Sequence, residues 1–456
     1  MKSFKFWSSV IFLSLAFATL ISAQWLETTV PVPQSPEVLR WNSANNRVYC
    51  AVGYPDAFGA IAVIDGATNA LLDTVMLPYQ MPGGLCIDPG HNRVFCAGSS
   101  FYPLDDSLVT VIDGNTNTIT AEIQTGGGPM AICYNPLQDK LYCASQLANQ
   151  VYIIDCVTNT IRATRTVPTN PVDLCYAPEV NRIYCADQGL RSSPNFMVTV
   201  ISGTSDSIIR TIYVGYYPRA LCYNRIDRKI YCANDFDGSV SVIDAEGDTV
   251  VATVSMGGSP MALCWNPVTD RAYCCDGENG SVISIDGVTN NIVHQVSVVG
   301  PVWALSVDSA ANKIYCSNYI DDKVTILDGN ADTILKTIST GSGPRAMCHN
   351  PVNGRTYIAN REGNSVAVIR DSASGGVEEQ RQTSVERREL DVWPNPCKGV
   401  LNVTRRSSEQ SKLELYDVKG QIVAILKHGA NNISRLNSGI YFLKLGTEVE
   451  KFLVVK

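Results

Sequence analysis

The chain has 456 residues, 45% of them hydrophobic and only 17% charged, with a formal net charge of −7. That is enough apolar material for a large core or a long repeat array, and too few charges for a solvated helical protein. The net acidity, and the lack of any basic cluster interleaved with aromatics, exclude a general attraction to nucleic acid or to an anionic membrane surface.

At the N-terminus, Lys2 and Lys5 precede an apolar run from Val10 to Ile21, and Ser22-Ala23 stands before Gln24. This is the pattern of a removable signal peptide, residues 1–23. The apolar run is short for a membrane span. No later segment reads as a membrane helix, so the mature chain is expected to carry no transmembrane segment.

Residues 24–371 are repetitive. Tyr-Cys or a near equivalent recurs at Tyr49-Cys50, Phe95-Cys96, Tyr142-Cys143, Tyr184-Cys185, Tyr231-Cys232, Tyr273-Cys274, Tyr315-Cys316 and Tyr357-Ile358, at intervals of 42 to 47 residues. Each pair is followed by a "VIDG"-like mark, ending at Gly66, Gly114, Cys156, Gly203, Ala245, Gly287, Gly329 and Asp371. Each is preceded by a short apolar run, as in Pro129-Met130-Ala131-Ile132-Cys133. Fixed-period self-similarity is the signature of a repeat architecture.

One copy reads as four strands: "MALCWN" (261–266), "RAYCC" (271–275), "SVISID" (281–286) and "NIVHQVSV" (291–298). The segments between them are rich in Asn, Asp and Gly. Those residues make hairpin turns, by bonding their own backbone or by tolerating positive φ. Four short strands in 40 to 50 residues make one propeller blade. The last copy stops after its third strand, and the first is preceded by an orphan strand, "WLETTVPV" (25–32). A complementary part-blade at each end is what ring closure requires, because it leaves no open sheet edge. The expectation is an all-β, eight-bladed β-propeller closed by the N-terminal strand. Seven blades plus a stray unit is the alternative.

Blades such as "RAMCHNPVNGRTYIANREGNSVAVIRD" (345–371) resemble the YVTN-repeat β-propeller family. In that family Tyr-Val-(Thr/Ala)-Asn ends the second strand and Val-Ile-Asp ends the third. Here Cys usually replaces the Val, so the resemblance rests on the whole repeat. It implies an extracytoplasmic protein and transfers no catalytic residues.

Residues 372–389 are polar and charged, and read as a linker. From 390 to 456 the pattern changes. Pro394-Asn395-Pro396 leads to "LELYDVKG", with Tyr416, Asp417 and Gly420. "LNSGIYFLKL" follows, with Gly439 and Tyr441, and a final strand ends in Lys456. Alternating apolar residues around the Asp417 turn predict a hairpin in a small β-sandwich. These marks resemble the type A sorting domain of type IX secretion. The resemblance implies the type IX machinery as a partner, passage through the periplasm, and a secreted or outer-surface location.

Sixteen Cys in an exported chain raise the possibility of disulfides. Five pairs sit ten apart, such as Cys133 and Cys143, and would face each other across the first hairpin of a blade. The other reading is that Cys packs there as a small hydrophobe.

Propeller ligands sit at one face of the ring, where the loops joining the second strand to the third lie beside those leading into the next blade. Three of the former are long: 52–60, 98–108 and 187–197. They bring Tyr54, Phe58, Phe101, Tyr102 and Phe196, with Asp56, Asp105 and Asp106. The inter-blade loops add Tyr216, Tyr217, Arg219, Trp303 and Arg345. Long loops on a regular scaffold carry specificity, and exposed Tyr, Trp and Arg suit an interface or a saccharide. Neutral drift in tolerant loops is the competing explanation. Asp235, Asp237, Asp276, Glu278, Asp321 and Asp322 offer oxygen ligands but no calcium-loop spacing, so turn chemistry is expected of them. His91, His294, His349 and His428 lie in separate contexts, and no nucleophile elbow or phosphate loop occurs. The expectation is therefore a non-enzymatic binding module for an extracellular protein or glycan, with no cofactor and no metal. A lyase or hydrolase acting on saccharides or lactones, and a structural surface-layer component, are the alternatives.

Overall fold

A computed structural model describes residues 24–53, 59–77, 81–99, 107–190, 196–371, 390–393, 400–405, 413–417, 421–427, 429–445 and 448–454. The signal-peptide and linker segments of the sequence reading lie outside these residues. The chain divides into two compact units, 1–376 and 377–456.

The first unit is an eight-bladed β-propeller. Seven blades are consecutive four-stranded antiparallel sheets, at 36–77, 81–124, 129–166, 171–213, 218–255, 260–297 and 302–339. Their strands are called a to d in chain order. The eighth blade takes a to c from 344–371 and d from Gln24–Pro31. That strand pairs antiparallel with Ser365–Asp371, from Gln24 opposite Asp371 to Pro31 opposite Ser365. The strand at one end of the sequence thus seals the blade made at the other.

Burial follows position in the blade. Strands b and c are covered on both faces, so Arg47–Gly53 and Gly59–Asp65 are almost wholly buried and almost wholly apolar. Strand d meets solvent, and Leu71–Leu77 alternates only at its end. The a strands contact one another in a closed circle and line the central channel. Left-handed turn residues make the hairpins possible. Asn46, Asn92, Asp139, Asn181, Asp270 and Asn312 each adopt φ near +50° just before strand b, a conformation that Asn and Asp tolerate best after Gly.

The recurring Tyr is an inter-blade latch. In most blades the first residue of strand b and the Tyr two places on both reach the c–d turn of the next blade; in blade five Lys229 alone does so, at Asn290. Lys140 Nζ lies 2.7 Å from Asp206, and the Tyr142 hydroxyl donates to the same carboxylate at 3.2 Å. Arg182 and Tyr184 both bond Asp248 at 2.8 Å. Arg271 and Tyr273 bond Asp332 at 2.8 and 2.6 Å. The closing joint repeats the pattern: Arg355 donates to Gly66 O and the Tyr357 hydroxyl to Asn69 Oδ1, both at 2.8 Å. Phe95 gives up the hydroxyl, and there Arg93 alone bonds the Cys156 carbonyl.

The strand register corrects the expected facing of the Cys pairs. Cys133 lies opposite Tyr142, and Cys143 lies opposite Ile132. The same offset by one holds for Cys86 and Cys96, Cys175 and Cys185, Cys222 and Cys232, and Cys264 and Cys274. Adjacent strand positions point to opposite faces, so the two thiols of a pair flank the sheet and cannot bridge. All fifteen described Cys are free thiols. Those of strand b are fully buried, as Cys185 is beside Tyr142 and Leu174.

The second unit holds two sheets. One orders Leu390–Trp393, Val400–Arg405 and Gly429–Asn432. The other orders Ile422–Leu426, Leu413–Tyr416, Gly439–Leu445 and Glu448–Val454. Leu401, Leu413, Leu415, Leu426, Ile433, Tyr441, Leu443 and Val454 form their core. Asp417 closes its hairpin turn by exchanging bonds with Gln421: N to O at 3.0 Å, and Oδ1 from N at 2.9 Å. The Tyr441 hydroxyl donates to Asn437 O at 3.0 Å. Pro394, Asn395, Pro396, Gly420, His428 and Lys456 lie outside the described residues.

Candidate binding face at the channel mouth

The b–c and d–a loops emerge on one face of the ring, and the second residue of each a strand stands at the channel mouth. Glu37, Arg219, Trp303 and Arg345 all hold that position. Of the residues singled out from the sequence, Tyr54, Phe58, Phe101 and Tyr102 lie outside the described residues, with Asp56, Asp105 and Asp106. The other six fall into two clusters.

The first cluster joins blades four and five. Phe196 and Tyr216 meet edge to face at 5.0 Å, and Tyr217 meets Phe236 in the same way at 4.6 Å. Arg219 pairs with Asp235 at 3.2 Å, and Asp235 also accepts the Ser259 hydroxyl. Tyr217 has φ of +67°. Blades three, four and eight hold Gly128, Asn170 and Gly343 at the corresponding place, at φ of +68°, +64° and +69°. An aromatic residue in the left-handed region costs about 1 kcal/mol or more. The fold accepts a cheaper residue there in three other blades, so the cost goes to presenting the ring.

The second cluster joins blades seven, eight and one. Trp303 and Tyr319 lie 5.1 Å apart, and the Arg345 guanidinium stands 5.9 Å from the Trp303 ring centre. Glu37 ties Arg345 at 3.1 Å and Arg361 at 2.5 Å. The Tyr319 hydroxyl donates to Glu362 at 2.6 Å, which pushes that phenol's pKa up. Trp303 Nε1 is buried and has no hydrogen-bond partner among the described residues. A buried indole N–H without an acceptor is costly and uncommon.

Sequence reasoning missed Glu37, Phe236, Tyr319 and Arg361. Phe236 and Tyr319 sit in short loops, so loop length did not flag them; aligning the repeats position by position does. The loop acids behave as turn residues. Asp276 Oδ1 accepts from the N–H groups of Ser259, Glu278 and Asn279 at 2.8 to 3.1 Å. These bonds outweigh burial and lower its pKa. Asp322 accepts from Gly343 N at 2.9 Å. On the opposite face Asp88, His91 and Asp139 approach one another. The Arg93 guanidinium already fills the place between them, 2.6 Å from Asp88 and 2.7 Å from Asp139. His294 joins the Asp332 latch at 3.2 Å, and His349 bonds Thr356 at 3.1 Å in another blade.

Comparison with known proteins places both units. Residues 391–456 match the family described as Secretion system C-terminal sorting domain. No curated protein matches the chain. Among solved structures, the chain is similar to the C-terminal WD40 domain of Sif2 at a TM-score of 0.61 and 10% identity, over 77% of this chain and 99% of that one. It is similar to a chain of the mitotic checkpoint complex at 0.54 and 10%, over 81% and 98%. It is also similar to hydrazine synthase of Kuenenia stuttgartiensis at 0.52 and 20%, over 64% and 96%. At these identities the likeness is one of fold alone. The protein is thus a β-propeller followed by a type IX secretion sorting tail, which implies export to the cell surface or beyond.

Proposed function

We propose that this protein is a non-catalytic binding module that works outside the cell. Residues 24–371 engage a glycan or protein partner at the channel mouth, and residues 390–456 direct export before the mature form is released or retained at the surface. A signal peptide at 1–23 supplies the first membrane crossing, and 372–389 links the two functional parts. The propeller belongs with the YVTN-repeat group in this reading.

The observation that carries the reading is the Trp303 cluster. It combines an aromatic face, a guanidinium and a carboxylate-held hydroxyl. Aromatic faces with flanking hydrogen-bonding groups are what a sugar ring or an interface anchor requires. The strained Tyr217 supports it independently.

The test is retention of residues 24–456 on glycan and surface-protein arrays, beside Trp303→Ala. The expected result is saturable binding, weakened at least about tenfold by the substitution, with the unfolding midpoint unchanged. Binding that ignores Trp303→Ala and Tyr217→Gly alike would overturn the assignment of this face.

A further inference from the structure

On the face opposite the mouth, one joint between blades departs from the repeat. At four of the eight joints the Asn that ends strand a donates its side-chain amide to the Asn just before strand b of the next blade. Asn42 does so to Asn92 at 2.7 Å, and Asn350 to Asn46 at 2.8 Å. Donor thus meets acceptor over the glycine of the c–d turn: a Cβ on Gly66 would lie 2.7 Å from Asn46 Oδ1 and 2.8 Å from Asn350 Nδ2. Between blades two and three both places hold acids, Asp88 and Asp139, and the Arg93 guanidinium stands between them.

Between blades five and six two acids meet without such a base. Asn224 Nδ2 donates to Asp270 Oδ1 at 2.9 Å, and its other contact is Asp227 Oδ2 at 3.4 Å. Over the turn, a Cβ on Gly287 would lie 2.6 Å from Asp270 Oδ2 and 2.7 Å from Asp227 Oδ2. Two carboxylate oxygens therefore converge where other joints place an amide and an oxygen. Neither carboxylate has an ion pair among the described residues. Arg225 and Arg228 are held by Glu179 and Glu246, and Lys229 donates to Val288 O at 3.1 Å and Asn290 Oδ1 at 2.9 Å. Burial and then the neighbouring Asp270 raise the Asp227 pKa, with Lys229 offsetting only part of the effect.

A buried hydroxyl faces the same pair. Tyr231 is wholly buried, and its hydroxyl has no hydrogen-bond partner among the described residues. Elsewhere this hydroxyl is spent on the next c–d turn, as in Tyr184 and Tyr273. Here Lys229 takes that turn. Burial raises the Tyr231 pKa, and the Asp270 and Asp227 carboxylates raise it further. A buried hydroxyl without a protein partner is uncommon, and ordered water or an ion is what completes such a group.

We propose that this joint binds a calcium ion, with Asp227 and Asp270 as its protein ligands, water in the remaining positions, and one of those waters accepting the Tyr231 hydroxyl. A set of carboxylate and water oxygens, without His or Cys, suits a hard cation. Carboxylates fixed on two different blades suit the flexible coordination of calcium, with about six to eight oxygens, better than the strict octahedron of magnesium. Two carboxylates make a weak site, in the range of about 0.1–1 mM that extracellular calcium modules use. The site lies on the face opposite the mouth and does not depend on the partner proposed there.

The experiment is a titration of residues 24–456 with terbium, a luminescent stand-in for calcium, followed by displacement with calcium. Trp265 Nε1 donates to Asp270 Oδ1 at 3.0 Å, so an ion on the pair is placed to receive energy from the excited indole. The variants restore the repeat. Asp227→Asn installs what blades one and eight carry at Asn45 and Asn353, and Asp270→Asn what blade one carries at Asn46 and blade seven at Asn312. The expected result is indole-sensitised emission that calcium displaces with half-effect at about 0.1–1 mM. Each variant should weaken terbium binding at least about tenfold, because each removes one of the two charged ligands. Calcium should raise the unfolding midpoint of the unaltered chain and of neither variant. No calcium-displaceable emission from the unaltered chain overturns the site. Emission and displacement that survive both substitutions unchanged also overturn it, since the ion then sits elsewhere.

Discussion

Asp187 offers a quantitative test of how the blades are built. It ends strand b of blade four, is wholly buried, and accepts the Thr199 hydroxyl at 2.6 Å and the Cys185 thiol at 3.5 Å. Burial outweighs these bonds and raises its pKa from 3.8 to about 7. The folded chain then holds this proton more tightly than the unfolded chain. The group therefore costs nothing below its unfolded pKa, and costs increasingly more as pH rises toward the folded value. At 1.36 kcal/mol per pH unit, the difference between about 7 and 3.8 is about 4 kcal/mol at pH 8 and under about 2 kcal/mol at pH 5. Blades five, seven and eight hold Asn234, Asn318 and Asn360 in the same place. Asn318 accepts Thr325 at 3.2 Å just as Asp187 accepts Thr199. Asp187→Asn should fit without repacking and remove the titration. The expected result is a variant whose midpoint exceeds that of the unaltered chain by about 4 °C more at pH 8 than at pH 5, for a transition of this size. Scanning calorimetry of both proteins at the two pH values measures it. A midpoint difference that does not change with pH would show that Asp187 is not the titrating group.

Other expectations follow from the same geometry. Tyr273→Phe removes a 2.6 Å bond to the buried Asp332 carboxylate. It should cost about 2 kcal/mol, or about 3 °C, in thermal unfolding. Removal of residues 24–31 strips the eighth blade of its outer strand and bares the edge of Ser365–Asp371. The truncated protein should associate, as read by light scattering, while the unaltered chain stays dispersed. Peptide mapping without reduction should show no bridge between Cys133 and Cys143, because they lie on opposite faces; an intact 133–143 link would refute the register. Tyr217→Gly should weaken partner binding yet leave the midpoint within about 2 °C. Relief of the left-handed strain offsets the lost Phe236 contact.

Much of the propeller was legible because each repeat writes its own turns. Asn and Asp before strand b, and the "VIDG" mark after strand c, act within a few residues of chain. The closing strand was legible from what was missing at 371 and left over at 25–32. The aromatic mouth was legible in part: Tyr217 and Trp303 stood out in the inter-blade loops, whereas Tyr319 and Phe236 hid in loops of ordinary length.

Local chemistry in the chain therefore determined that there are strands, where they turn and how many blades they make, because hairpins depend on neighbours in sequence. Tertiary structure decided the rest. A shift of one residue in register sends paired Cys to opposite faces. Contact between blades turns the recurring Tyr into a latch. Closure of the ring brings Arg355 onto the Gly66 carbonyl, 289 residues away in the chain. These are relations between residues far apart in the chain, and side-chain direction and blade-to-blade distance exist only once the ring is closed.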